Sequence, residues 1–115
     1  MSTEQARLQD HVDFIAQELN KPWEEWDLDL AEDPDQGFTA WDYVQTILDF
    51  TYELDSKRRV IGGSLLLSFG GPNIWLDLRS GRVDGYWWGD HAQAFVTNRE
   101  QLDELIECMS EIFHL

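Results

Sequence analysis

The residues best suited to chemistry lie late in the chain. Asp90 and His91 are adjacent, and a carboxylate beside an imidazole is the pairing used in general acid–base catalysis and metal ligation. Asp77 and Asp84 precede them, so a small enzyme built here would use Asp90 and His91 with Asp77 and Asp84. Neighbours on a strand point to opposite faces, however, so Asp90 and His91 converge only where the strand ends. Arg79 and Arg82 flank the two earlier aspartates and disfavour a metal held by Asp77 and Asp84. His11 and His114 are far from this region in sequence. Cys108, the single cysteine, falls in a helical pattern and reads as a small buried apolar residue. Gly62-Gly63-Ser64 and Gly70-Gly71-Pro72 neither precede a helix nor carry the Lys-Ser/Thr of a phosphate loop. With 23 carboxylates in 115 residues, a pair picked by position alone carries no information. The reading is therefore a protein that is not an enzyme, with no cofactor and no metal.

The elements that would position these groups follow from periodicity. Residues 4–19 have Leu8, Val12, Ile15, Ala16 and Leu19 at helical spacing, and Pro22 stops that helix. Asp33-Pro34-Asp35-Gln36-Gly37 is a turn signal, and Trp23, Trp26, Leu28 and Leu30 are possible anchors for the connection before it. Residues 40–55 read as a second helix, with Thr39 as N-cap, Asp42 in the first turn, and Trp41, Val44, Ile47, Leu48 and Leu54 as its apolar side. Strands follow at 60–69, where Gly62-Gly63 suggests a bulge or close approach, and at 74–79 and 82–90. A short edge strand at 92–96 is a further element. Asn98 caps a final helix at 99–113, with Leu102, Leu105, Ile106, Met109, Ile112 and Phe113 on its apolar face. The expectation is one α+β domain over residues 1–115. Its antiparallel sheet has three to four strands with helices on one face, in the order α-α-β-β-β-(β)-α.

The central hairpin is the most specific feature. A two-residue Ser80-Gly81 loop would place Arg79 opposite Arg82, Asp77 opposite Asp84 and Trp75 opposite Tyr86. Alternation then puts Ile74, Leu76, Leu78, Val83, Gly85 and Trp87 on the core face. The other face carries Trp75, Asp77, Arg79, Arg82, Asp84, Tyr86, Trp88 and Asp90. Two readings of that face stand side by side: a solvated face of Asp–Arg pairs and stacked rings, or an aromatic patch of Trp75, Tyr86 and Trp88 that binds a partner. A homodimer through the same face would hide it.

Charge narrows the function classes. The net charge is −15, beyond the magnitude of about 2–8 usual for a small designed domain. Residues 1–55 hold fifteen acids against Arg7 and Lys21, a net of −13. Residues 56–115 hold eight acids against six basic residues, a net of −2. Such a field repels phosphates and excludes direct nucleic-acid binding, but attracts a basic protein. Glu24, Glu25, Asp27, Asp29, Glu32, Asp33 and Asp35 of the connection, with Asp42 and Asp49, are the candidate carboxylates of such an interface. Their density suggests mimicry of a DNA backbone toward a nuclease or DNA-binding protein; plain solubility or salt adaptation is the bland alternative. One cysteine, no basic-then-apolar leader at Met1–Gln5 and no long apolar run point to the cytoplasm and away from membranes.

The segments Leu67-Ser68-Phe69-Gly70-Gly71-Pro72-Asn73-Ile74-Trp75 and Gly85-Tyr86-Trp87-Trp88-Gly89-Asp90 resemble small acidic accessory proteins of phages and mobile elements. Some of these are antirestriction or anti-CRISPR inhibitors. The resemblance implies an inhibitor of host defence and brings no catalytic residue with it. An immunity or antitoxin protein neutralising one cognate toxin is the alternative.

Overall fold

The structure is a computed structural model that describes residues 3–113. The first helix, α1, spans Thr3–Asn20 and buries Leu8, Val12, Ala16 and Leu19, the stripe expected from their spacing. Its last carbonyls are taken up by a residue far away in sequence. The buried Gln101 amide donates to the carbonyls of Leu19 and Lys21, each at 2.7 Å. Two short 3-10 turns follow at Trp23–Glu25 and Leu28–Leu30, and then a short helix, α2, at Ala40–Val44.

The helix expected over residues 40–55 is overturned beyond Val44. Asp49–Leu54 is a strand, β1, because Phe50, Tyr52 and Leu54 alternate with Asp49, Thr51 and Glu53 at period two. Four more strands follow: β2 (Val60–Ser68), β3 (Asn73–Asp77), β4 (Arg82–Trp87) and β5 (Asp90–Phe95). Among the described residues the sheet thus has five strands rather than three to four, paired antiparallel in the order β1-β2-β3-β4-β5. The stretch read as one strand at 82–90 is divided by a turn at Trp88-Gly89. The last helix, α3, spans Arg99–Phe113. Asn98 caps it, its Oδ1 accepting the Gln101 N–H at 3.3 Å.

The β3–β4 register differs from the two-residue loop. Trp75 opposes Asp84 and Asn73 opposes Tyr86, a slip of two residues. The cause is Asp77. Its carboxylate accepts the N–H groups of Arg79 and Ser80, each at 2.9 Å, and its carbonyl accepts that of Gly81 at 2.8 Å. The chain therefore turns over Leu78–Gly81. A slip of two keeps every side chain on its face. Ile74, Leu76, Leu78 and Val83 are accordingly fully buried, and Trp87 packs partly against them.

Both long helices lie on that face, α1 across β4 and β5 and α3 against β2. The α1 contact is close: a Cβ at Gly85 would sit 2.8 Å from Val12 and 2.9 Å from Leu8, so only glycine fits. Toward the β1 edge of the sheet a Cβ at Gly63 would lie 2.3 Å from the Thr51 carbonyl oxygen. The β1–β2 register also slips between Glu53 and Leu54, next to Gly62-Gly63, where a bulge or close approach is expected. No helix among the described residues is long and apolar enough to cross a membrane.

Candidate binding surfaces

The acidic connection is built from the inside outward by four rings. Trp23 is buried; its indole N–H donates to Glu104 of α3 at 2.8 Å. Its ring centroid lies 5.3 Å from that of Trp26, 5.5 Å from Phe38 and 5.8 Å from Tyr43. Trp26 stacks on Phe38 at 4.9 Å, and its N–H donates to the Lys21 carbonyl. Burial in this cluster pushes the Tyr43 hydroxyl pKa well above its ordinary value.

The backbone between the rings is held by carboxylates. Asp27 accepts the Asp29 N–H at 2.9 Å and Asp33 accepts that of Asp35 at 3.1 Å. Asp42 does most of this tethering. One of its oxygens accepts the Glu32 N–H at 3.0 Å and the other the Thr39 N–H at 2.8 Å, the second bond belonging to a capping box. The backbone donor of Glu32, followed by those of Thr39, holds the Asp42 pKa below the usual carboxylate range against the opposing effect of burial. Asp42 is buried, so it belongs to the scaffold and not, as expected, to the surface a partner touches. Glu24, Glu25, Asp27, Asp29, Glu32, Asp33 and Asp35 are all exposed. Of the four anchors expected in this stretch, Trp23 and Trp26 turn inward, while Leu28 and Leu30 remain in solvent.

The second surface is the face of the sheet opposite the helices. Cross-strand partners share a face, so Asp49, Leu66, Trp75, Asp84 and Gln93 form one row across all five strands. Asp84 is only 7% exposed, although it stands on this open side. It accepts a hydrogen bond from Arg82 Nε at 2.7 Å and lies 3.0 Å from His91 Nε2. Its hydrogen bond to Asp84 raises the Arg82 pKa. Tyr86 stacks on His91 with centroids 4.8 Å apart. Asp84 thus meets Arg82 along its own strand.

The adjacent pair Asp90 and His91 does not converge. His91 opposes Tyr86 and Asp90 opposes Trp87, on alternate faces, so the imidazole's carboxylate partner is Asp84. Asp77 is occupied in its turn. Among the described residues no cluster of three or more His, Cys, Asp and Glu is placed to hold a metal. Cys108 is buried, and burial raises its thiol pKa to about 11, aided by Glu111, Glu107 and Glu104. His114 lies outside the described residues.

Trp75 is half-buried and Tyr86 exposed, while Trp88 is 86% exposed. Trp88 and Gly89 both have positive φ, 48° and 86°, the signature of a type I′ hairpin turn. Glycine, asparagine and aspartate suit its first position, and a bulky ring there is an outlier. Asp49 stands at the edge of this face, exposed, with its carboxylate accepting the Phe50 N–H at 2.8 Å.

The two surfaces are well separated. Gln5 and Gln9 of α1 lie against the β5 carbonyls of His91 and Gln93, next to the Trp88 turn. The other end of α1 leads into the acidic connection. The 18-residue helix, about 26 Å long, runs between the Trp88 turn and the acidic connection. Trp75, Tyr86 and Trp88 therefore do not share a contact patch with Glu24–Asp35.

Sequence reasoning missed Phe14, which is 59% exposed beside Leu30 at 62%. Its position off the Leu8–Leu19 stripe was the available signal. No family model, curated protein or solved structure matches this chain.

Proposed function

We propose that this chain is a non-catalytic binding protein whose Trp23–Gly37 segment docks on a basic partner, a nuclease or another nucleic-acid-binding protein, and blocks it. The observation carrying this reading is the inside-out order of that segment. Its tryptophans are turned inward, its seven other candidate carboxylates all face solvent, and it contains no Lys or Arg. Charges on a pre-folded backbone are presented without an ordering cost on binding. A surplus of one sign accelerates encounter with the opposite sign and suppresses wrong partners. A basic groove made for a phosphate backbone is the complementary surface. An immunity protein for a single toxin would use the same physics.

Affinity capture from lysate on the immobilised chain, at about 0.05 M and about 0.5 M salt, tests the reading. Nucleic-acid-binding proteins of basic charge should be retained at low salt, released at high salt and displaced by added DNA. A single basic toxin would select the immunity role. Retention of neutral or acidic proteins, insensitive to salt, would overturn the proposal.

A further inference from the structure

Between the last two turns of α1 and the Leu28–Leu30 turn lies an open cleft of about 360 Å³. Phe14, Ile15, Trp26 and Leu30 form its apolar walls, and Glu18 and Asp27 stand on its rim. Phe14 and Leu30 are more than half exposed although no interior requirement places them there, and the volume is at the low end for a ligand pocket. It suits one or two large side chains. The surroundings are acidic, with Glu24, Glu25, Asp29 and Glu32 following along the same connection.

The chain's own Lys21 shows what the rim accepts. Its ammonium pairs with Glu18 at 2.6 Å and lies 5.8 Å from the centroid of the Trp26 ring, a cation held between a carboxylate and an aromatic face. We infer that this cleft receives the apolar side of a cationic amphipathic helix of the partner, its large apolar residue entering between Phe14 and Leu30 and its Lys or Arg residues facing Asp27, Asp29 and the other carboxylates. The inference rests on the basic-partner reading and adds the mode of docking. Charge complementarity selects this occupant over a second copy of the chain, whose matching surface would be equally acidic.

The test titrates the full ¹⁵N-labelled chain with three helical peptides: one of Leu and Lys with an apolar stripe, one with Ser replacing each Leu, and one with Glu replacing each Lys. The Leu/Lys peptide should bind at least about tenfold more tightly than the Ser/Lys peptide, the factor that burial of one large apolar side chain supplies. Its shifts should centre on the Trp26 indole and the Phe14 and Leu30 amides. Phe14→Ser with Leu30→Ser, both at exposed positions, should erase that tenfold while leaving Ser/Lys binding unchanged. Lys21→Met should tighten Leu/Lys binding by removing the resident cation, a readout that needs no truncated wall. Equal affinity of the Leu/Lys and Ser/Lys peptides would overturn the cleft while sparing the basic-partner reading; equal affinity of the Leu/Glu peptide, or shifts confined to Trp75, Tyr86 and Trp88, would overturn both. Failure of both cationic peptides to bind would overturn the two together.

Discussion

Asp42 and Trp88 show how differently two singled-out residues are used. Asp42 spends its carboxylate on the backbone of Glu32 and Thr39, so its contribution is to stability and to the posture of the acidic segment. Asp42→Asn should cost about 1–2 kcal/mol, the range of a lost cap, read by urea denaturation at neutral pH. Its folded pKa is depressed. The stabilisation is therefore present above the unfolded pKa and fades as pH falls through the lower folded value. Stability of the native chain should drop on acidification below about pH 4 more steeply than that of Asp42→Asn. Trp88 makes the opposite trade. It occupies a left-handed position at φ 48° and is almost wholly in solvent, so the fold gains little from its ring. Trp88→Asn should raise stability by about 1 kcal/mol in the same assay. A loss of stability would mean that the edge contact of Trp88 with Trp87, centroids 5.7 Å apart, outweighs the turn strain.

Elements were legible where one periodicity prevailed. α1 and α3 could be read from their apolar stripes, and the inner face of the hairpin from alternation, because a slip of two residues leaves faces unchanged. The segment after Val44 was not. Val44, Ile47 and Leu48 continue a helical spacing into a stretch whose alternation begins only at Phe50, and pairing with β2 decided the outcome. The Trp88-Gly89 turn escaped notice because tryptophan is not a turn residue. Edge protection was equally invisible, since it depends on contacts across the chain. Gln5 and Gln9 of α1 donate to the outward β5 carbonyls of His91 and Gln93 at 2.8 and 2.9 Å, covering an edge that would otherwise template another strand. Gln5→Ala with Gln9→Ala should promote concentration-dependent self-association in sedimentation velocity while changing helix content little. A double variant that stays as monodisperse as the native chain would show that these amides do not guard the edge.

At the scale of the molecule, the candidate partner-binding residues fall on two surfaces, one at each end of α1. The acidic segment belongs with the helices, and the aromatic row lies on the opposite side of the sheet. Sequence placed the charge in the first 55 residues, but only the fold shows which carboxylates are spent inside. Asp42 is buried, and the seven from Glu24 to Asp35 are exposed. The most direct measurement of the central claim is the association rate of the native chain with a captured basic partner as ionic strength rises. It should be compared with a variant carrying Glu24→Gln, Glu25→Gln, Glu32→Gln and Asp33→Asn, all at exposed positions. The native rate should fall steeply with salt, and the variant should associate about tenfold or more slowly at low salt with a flatter dependence. Equal rates and equal salt slopes for the two chains would contradict the claim that this segment is the docking surface.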